Sequence, residues 1–360
     1  MKVLILSCNT GEGHNSCAAA LEEECRNQNI PCDTEDALRF ISPEVSRFIS
    51  NWHVRIYRHA PGLFRVGYRA AEDHPAQFHE GSALYRYLTQ GAEKLCGFIA
   101  GSGYDTVICT HTFAALMVSE VVKTHLPNLK TCFIATDYTC SPSVKDSSLD
   151  RYFIPASSLS GDFLGGGVTS ERLRACGIPV RQMFRSSVRK EDAKRAFGIP
   201  ADHKHLVMMC GSMGCGPIMS IARRIGRDLP DDQDLTIVCG TNKQLYRRLQ
   251  RRFYDAKNVH VRSYVKDMAL LMDSADLYLT KPGGISVTEA ASMRLPMVFI
   301  DAVAGCEEYN KDFFLRTGGA VTGQTPKAFA CSATRTRLKR WATRSTPPCR
   351  TTPRPTSSPR

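Results

Sequence analysis

The sequence contains no apolar run near the ~20 residues that a membrane-spanning helix needs, so a membrane span is not expected. Its first segment, MKVLILSC, has too short an apolar stretch for a signal peptide and lacks a small-residue cleavage site, so it predicts a first β-strand. The 15 cysteines include no CxxC pair and no nearby pair of histidines, which disfavours a metal site. We therefore expect reduced thiols and a cytoplasmic protein.

Acidic residues are absent from the last 34 residues, 327–360, which contain nine Lys or Arg. The formal net charge of the chain is +12, so residues 1–326 carry only about +3. A nearly neutral body disfavours a nucleic-acid partner. The end segment is rich in Thr, Arg, Pro and Ser and has little apolar periodicity, so we expect residues 327–360 to be a disordered basic tail.

Short apolar runs alternate with helical patterns along the rest of the chain. Most runs are almost continuously apolar, which is typical of parallel strands covered on both faces. The alternation predicts an α/β protein with two doubly wound, Rossmann-like domains facing a cleft, 1–184 and 185–326. A polar, charged connector (177–194) separates the two series. The runs are KVLILSC (2–8), DTVICT (105–110), TCFIATDY (131–138), DRYFIPAS (150–157), KHLVMMCGS (204–212), LTIVCGTN (235–242), VHVRSYV (259–265), ADLYLTK (275–281) and LPMVFID (295–301).

Glycine-rich turns follow three of these runs, and each turn leads into a predicted helix. Exposed backbone N–H groups at a helix start favour an anion such as phosphate. No turn has the spacing of a dinucleotide fingerprint or of a Walker loop, and an ordinary strand–turn–helix connection remains the alternative for each. The residues are Gly11, Gly13 and His14 in the first turn, Gly211, Ser212 and Gly214 in the second, and Gly283 and Gly284 in the third.

Carboxylates follow the third turn and the next strand. Glu289 has two interpretations: it closes a capping box with Ser286, or its two oxygens bind the paired hydroxyls of a ribose. Glu307 and Asn310, in GCEEYN, could accept hydrogen bonds from sugar hydroxyls, or they could belong to a solvated acidic helix start.

An amphipathic segment covers residues 43–60. It predicts either a domain helix that packs its apolar face inward or a helix in a membrane interface. The apolar face contains Val45, Phe48, Ile49, Trp52 and Ile56, and the basic face contains Arg47, Asn51, Arg55 and Arg58.

The order of these motifs resembles the monogalactosyldiacylglycerol synthase and processive diacylglycerol glucosyltransferase family. The motifs are GEGH, TDYTCSP (136–142), GSMG, SYVKDMALLMDSADLYLTKPGGISVTEA (263–290) and GCEEYN. Members are inverting GT-B glycosyltransferases, similar to the enzyme that adds N-acetylglucosamine to lipid II. The resemblance covers roughly residues 1–323. Cys306 stands where members usually have Gln, and the family's last helix is not recognisable after about residue 326.

The resemblance implies that the first domain takes the lipid acceptor and the second takes a UDP-sugar, without a metal. His14 is then the candidate general base, with Asp137 supporting the base or the acceptor. The donor residues implied are Gly211, Ser212 and Gly214 at the diphosphate, Val265 at the uracil, Gly283 and Gly284 along the nucleotide, Glu289 at the ribose, and Glu307 and Asn310 at the hexose.

The function expected is transfer of glucose or galactose from a UDP-sugar to diacylglycerol. The expected location is peripheral, on the anionic inner face of the cell membrane. Three alternatives stay open at this stage: an N-acetylglucosaminyl-type transfer to another lipid-linked acceptor, epimerisation of a UDP-sugar, and nucleotide-sugar binding without activity.

Overall fold

The structure is a computed structural model that describes residues 1–302 and 305–323. The predicted basic tail, 327–360, lies outside the described residues. The described chain divides into two compact units. The first unit contains residues 1–181 and 305–309, and the second contains 182–302 and 310–323.

The first unit is built on a six-stranded parallel sheet with the order β2-β1-β3-β4-β5-β6. All five residues of β1 are buried, as its continuous apolar sequence predicts. The sequence did not reveal β2 and β6, because both are polar strands at the edges of the sheet. The strands are β1 (Val3–Ser7), β2 (Cys32–Asp36), β3 (Thr106–Cys109), β4 (Lys130–Ile134), β5 (Arg151–Ile154) and β6 (Leu173–Ala175).

Helices surround this sheet, and α3 confirms the helix predicted over residues 43–60. Its first turn is capped by the Ser42 hydroxyl, which accepts a hydrogen bond from the Val45 N–H. The helices are α1 (Glu12–Asn27), α2 (Leu38–Ile41), α3 (Pro43–His59), α4 (Pro61–Asp73), α5 (Ala83–Thr89), α6 (Ala92–Ser102), α7 (Thr112–Thr124) and α8 (Ser160–Gly165), with single 3₁₀ turns at Pro75–Phe78, Pro142–Asp146, Ser157–Leu159 and Ser170–Arg172.

The second unit contains another six-stranded parallel sheet, with the order β12-β11-β10-β7-β8-β9. Leu206 of the central strand β7 pairs with Leu235 on one side and Leu277 on the other. The elements are a 3₁₀ turn (Gln182–Phe184), α9 (Lys190–Phe197), β7 (Lys204–Met209), α10 (Ile218–Arg227), β8 (Gln233–Val238), α11 (Lys243–Arg252), β9 (Val259–Arg262), α12 (Met268–Ser274), β10 (Leu277–Thr280), α13 (Gly284–Ser292), β11 (Met297–Phe299), α14 (Cys306–Thr317) and β12 (Ala320–Thr322). The first residues of α14, 306–309, belong to the first unit.

The prediction of two doubly wound α/β sheets is therefore confirmed. In each sheet the order in which strands are added reverses once. This switch point lies between β1 and β3 in the first unit and between β7 and β10 in the second. Ligands of such sheets bind beyond the carboxyl ends of the strands at these switch points. We therefore expect a ligand site at the loops that follow these strands in each unit.

His205 is one of several polar residues that are fully buried in the second unit. The ring nitrogens of His205 lie 2.9 Å from the Ser274 hydroxyl and 2.7 Å from the Thr236 hydroxyl. Burial lowers the pKa of His205 to about 4, and the neighbouring His260 adds to this shift. His205 therefore stays neutral in the folded protein near pH 7.

Candidate active site

The switch point of the first unit brings together residues from three strand ends. His14 lies in the first turn of α1, directly after β1, and its Nδ1 lies 2.8 Å from the Thr110 carbonyl oxygen, after β3. The Thr136 hydroxyl, after β4, lies 3.0 Å from the same nitrogen. The His111 ring packs edge-on against His14 with a centroid distance of 4.5 Å. The histidine is therefore held by side chains and backbone distant in sequence, rather than capping its own helix.

The contact with Thr110 determines the tautomer of His14. A carbonyl oxygen can only accept a hydrogen bond, so Nδ1 carries the proton and donates it. Nε2 of the neutral ring is then a proton acceptor. Burial lowers the pKa of His14, while the nearby Asp137 carboxylate and the Thr110 bond oppose this shift. A neutral imidazole with an unprotonated Nε2 is the form that a general base requires.

Asp137 also contacts Cys306, the residue at which this sequence departs from the family that it resembles. The Cys306 thiol donates a hydrogen bond to the Asp137 carboxylate. Burial raises the pKa of that thiol, and the negative charge of Asp137 adds to the shift. Residues 305–309, including Cys306 and the buried Glu307, belong to the first unit.

In the second unit, two glycine turns interlock at the carboxyl ends of β7 and β8. The Ser212 carbonyl accepts a hydrogen bond from the Thr241 N–H at 2.8 Å, and the Asn242 side chain donates one to the Gly214 carbonyl at 3.0 Å. A Cβ at Gly214 would lie 2.2 Å from the Cys239 carbonyl oxygen, and one at Gly240 would lie 1.9 Å from the Ser212 carbonyl oxygen. Both glycines have positive φ angles, +56° and +58°. The glycines are thus required by close backbone packing.

The second switch point places a buried cation beside the first of these turns. Lys281 follows β10 and is 4% exposed. A Cβ at Gly216 would lie 4.0 Å from its Cδ and 2.9 Å from an Asp301 carboxylate oxygen. The Asn310 amide, fully buried, donates a hydrogen bond to the Pro282 carbonyl at 2.9 Å and so holds the Pro-Gly-Gly turn in place.

The start of α13 differs from one of the two interpretations of Glu289. The helix begins at Gly284 with Gly283 as its N-cap, whereas a capping box with Glu289 would require Ser286 to be the N-cap. Ser286 therefore caps nothing, and its hydroxyl lies 3.0 Å from the Tyr278 hydroxyl. The capping-box interpretation was wrong, because Glu289 lies too far into the helix to reach the N-cap. Glu289 is 8% exposed, an unusual position for a carboxylate.

The remaining predicted donor residues follow the same edge of the sheet. Gly211 and Ser212 follow β7, and the partly buried Val265 follows β9. Sequence reasoning missed His111 and Lys281. His111 directly follows the predicted run 105–110, and Lys281 is the last residue of the run 275–281, so their position at a strand's carboxyl end was the signal that could have found them.

Within the described ranges, no cluster of three or more His, Cys, Asp or Glu could hold a metal ion. In the same part of the chain, no helix is long and apolar enough to cross a bilayer.

Two family models match the chain, one over each sheet. Residues 14–180 match the monogalactosyldiacylglycerol (MGDG) synthase model, and residues 205–320 match the glycosyltransferase family 28 C-terminal domain. Relatives include the processive diacylglycerol beta-glucosyltransferases of Staphylococcus saprophyticus and Bacillus pumilus. The first is 24% identical over 331 residues, covering 91% of this chain and 82% of the relative. The second is 25% identical over 328 residues, covering 89% and 82%.

Solved structures with the same fold include MurG of Acinetobacter baumannii, at 16% identity and a TM-score of 0.58, covering 95% of this chain and 93% of that one. A UDP-GlcNAc 2-epimerase from Neisseria meningitidis, bound to UDP-GlcNAc, gives a TM-score of 0.59 at 13% identity, covering 97% and 95%. These likenesses support a GT-B fold. The two family models, one over each sheet, and the glucosyltransferase relatives show that the chain belongs to the monogalactosyldiacylglycerol synthase and processive diacylglycerol glucosyltransferase family.

Proposed function

We propose that this protein transfers a hexose, glucose or galactose, from a UDP-sugar to the free hydroxyl of diacylglycerol. Membership of a family whose relatives are diacylglycerol glucosyltransferases supports the reaction. The observation that carries its chemistry is the fixed tautomer of His14, which presents a proton acceptor at the switch point of the first unit. In this proposal the first unit takes the lipid and the second takes the nucleotide sugar.

The proposed reaction is a single displacement with inversion. His14 Nε2 takes the proton of the acceptor hydroxyl, and the hydroxyl oxygen forms a bond to the anomeric carbon. The bond from that carbon to the β-phosphate oxygen breaks, and UDP leaves with the bonding electrons. Asp137 stabilises the imidazolium that forms, because its carboxylate is close enough to raise the pKa of His14.

The departing UDP is assigned to the loops of the second switch point. The buried cation of Lys281 and the backbone N–H groups at the start of α13 would stabilise the growing charge on the diphosphate. Gly211, Ser212 and Gly214 would contact the diphosphate, Val265 the uracil, and Gly283 and Gly284 the nucleotide backbone. The oxygens of Glu289 would bind the ribose diol, and Glu307 and Asn310 would lie at the hexose.

We also propose that the outer surface of α3 and α4, in the unit that takes the lipid acceptor, binds a membrane. Phe48 and Trp52 stack on the outer face of α3 with a centroid distance of 6.1 Å and are 65% and 50% exposed. Leu63 and Val66 of α4 are also more than half exposed. Large apolar side chains next to exposed arginines, such as Arg47, suit an anionic lipid interface. We assign this peripheral binding to the inner face of the cell membrane.

The function is tested by incubating the purified protein with vesicles of diacylglycerol and either UDP-glucose or UDP-galactose. A glycolipid with a β-linkage and one UDP released per sugar is the expected result, and turnover should survive EDTA. A UDP-sugar epimer formed without lipid would instead identify an epimerase. Binding of UDP-sugar with neither product would identify an inactive binder. Transfer only to a different lipid-linked acceptor would reassign the substrate.

The membrane assignment has its own test. Replacing Phe48 and Trp52 by Ser should weaken binding to anionic vesicles and leave UDP affinity unchanged. Leu164→Ser is the matched control, because Leu164 is an exposed apolar residue of the same unit on α8. Equal vesicle binding by the double variant and the control would remove the α3 surface from the proposal.

A further inference from the structure

The second unit carries two neighbouring helices, α10 and α11, on one face of its sheet. They connect β7 to β8 and β8 to β9, so both crossovers step in the same direction. Right-handed crossovers in one direction place their helices on the same face. A Cβ at Gly226 of α10 would lie 2.7 Å from the Phe253 ring, which directly follows α11, so the helices pack closely.

The inner sides of both helices are apolar. Ile218, Ile221, Ala222 and Ile225 of α10 have helical spacing and belong to the buried core, as does Leu249 of α11. The outer sides are strongly basic. We call this outer surface the basic face; its exposed residues are Arg223, Arg224, Arg227, Lys243, Arg247, Arg248, Arg251 and Arg252.

Most of this charge is not neutralised by the protein. Leaving Arg224 aside, the basic-face residues form no ion pair with any other described residue. The guanidinium of Arg252 lies over the Phe253 ring at 5.5 Å. A groove of about 340 Å³ separates the first turns of the two helices, and Arg223 and Arg248 line it from opposite sides.

Helix stability explains only part of this arrangement, because the helix dipole favours cations in the last turn, where Arg224, Arg227, Arg251 and Arg252 lie. Neither helix has an acidic residue in its first turn, where the helix dipole favours one, and Lys243 occupies the first position of α11. Like charges also stand four residues apart, at Arg247 and Arg251 and at Arg248 and Arg252. Each such pair weakens a helix by roughly 0.2–0.5 kcal/mol. The first-turn Lys243 and the like-charge pairs oppose local stability, and this excess of positive charge points to an external anion.

We infer that the basic face binds the anionic headgroups of a lipid bilayer, as a second membrane contact on the unit that holds the donor. This inference rests on the proposed function, which places the protein at a lipid surface. Binding is electrostatic: Lys and Arg near an anionic membrane each add roughly fivefold to affinity. It differs in kind from the apolar contact of Phe48 and Trp52.

Nucleic acid fits the face less well. Single-stranded nucleic acid is bound by aromatic side chains that stack on its bases. The aromatic residue of α10 and α11, Tyr246, is half-buried and its hydroxyl accepts a hydrogen bond from Gln250 at 2.6 Å. Tyr254, just beyond α11, is exposed, but one ring offers a single stacking site. Two helices packed flat on a sheet present a broad surface, which suits a membrane plane.

The test uses the full chain with Arg227, Arg247 and Arg251 replaced together by Gln. Sedimentation with vesicles of phosphatidylglycerol and phosphatidylcholine measures the partition coefficient at several salt concentrations. The three charges lie outside the proposed donor loops, so UDP affinity and turnover in neutral detergent micelles should stay at the parent level. Partition onto anionic vesicles should fall by about 100-fold at low salt and converge with the parent at high salt. Replacing the same residues by Lys should restore parent binding.

A matched control neutralises three exposed cations elsewhere in the second unit, Arg189, Arg195 and Lys204. The control should bind vesicles within a few-fold of the parent. The inference is wrong if the Gln variant partitions like the control, or if it loses binding to a single-stranded oligonucleotide while keeping vesicle binding. Failure of the proposed function looks different: no protein would turn over in micelles, and the loss of vesicle binding by the Gln variant would persist.

Discussion

The catalytic assignment of His14 predicts two separable effects on rate. His14→Ala removes the proton acceptor, and general-base catalysis is typically worth 10²–10⁴-fold in kcat, which is about 3–5 kcal/mol of barrier. The second effect concerns pH. A base works when neutral, and burial lowers the pKa of His14 below its ordinary value of 6.5. Activity of the parent should therefore be constant through pH 7–8 and should fall only below pH 6.5.

Asp137→Asn tests whether the carboxylate of Asp137 sets the pKa of His14. The Asp137 carboxylate raises the pKa of His14, so removing its charge should lower that pKa further. The acid limb of kcat/KM should move to lower pH, while the plateau rate falls because the imidazolium loses its partner. A purely structural role for Asp137 would lower the plateau without moving the limb.

The assay is the initial rate of UDP release between pH 4.5 and 8.5, with saturating UDP-sugar and a varied diacylglycerol content of the vesicles, so that kcat and kcat/KM are both obtained. His125→Gln is the control, because His125 is an exposed histidine at the end of α7. Circular dichroism at each pH confirms that the proteins stay folded. The reasoning fails if His14→Ala keeps kcat within a few-fold of the parent, or if Asp137→Asn moves the acid limb to higher pH.

The remaining predictions concern donor binding, acid stability and the end of the chain. Glu289→Gln should weaken UDP binding by 10-fold or more, since a charged hydrogen bond contributes about 1.5–3 kcal/mol, whereas Ser286→Ala should leave calorimetric UDP affinity unchanged; equal affinities in both variants would exclude ribose binding. His205 has a folded-state pKa of about 4 against 6.5 unfolded, so its contribution to stability is complete above pH 6.5 and is lost as the pH falls towards 4, by about 3 kcal/mol in total. Denaturant titrations of His205→Gln should therefore show a flatter pH dependence than the parent, and parallel profiles would contradict this. Deleting residues 327–360 should change neither the melting temperature nor UDP affinity appreciably, and unfolding of the truncated protein would show that the tail is structural.

The strands were predictable where the chain gave a continuous apolar run. Residues such as those of β1 and β8 are buried on both faces, so their sequence carries the pattern directly. The edge strands β2 and β12 are short or polar, since one side of each needs no cover. Their pairing depends on neighbours distant in sequence, and no local pattern reports it.

The glycine turns and Glu289 were predictable as a site because they directly follow strands, yet their local roles were not. The helix start at Gly284 depends on how the Pro-Gly-Gly turn is held, and the Asn310 amide that holds it comes from another helix. The tautomer of His14 likewise depends on a carbonyl 96 residues away. Sequence spacing predicts that such residues lie at the same edge of the sheet, but it does not predict which atoms form hydrogen bonds.

The position of β1 inside the first sheet has a consequence for synthesis on the ribosome. Val3 pairs with Cys32 on one side and with Thr106 on the other. The first strand to be synthesised, β1, therefore lacks one of its two neighbours until β3 is made, about a hundred residues later. At ~5–20 residues per second, this strand spends roughly 5–20 s with an apolar, unpaired edge. Nascent chains paused before Thr106 should therefore be sensitive to protease and should bind chaperones, and this sensitivity should decline once β3 has emerged.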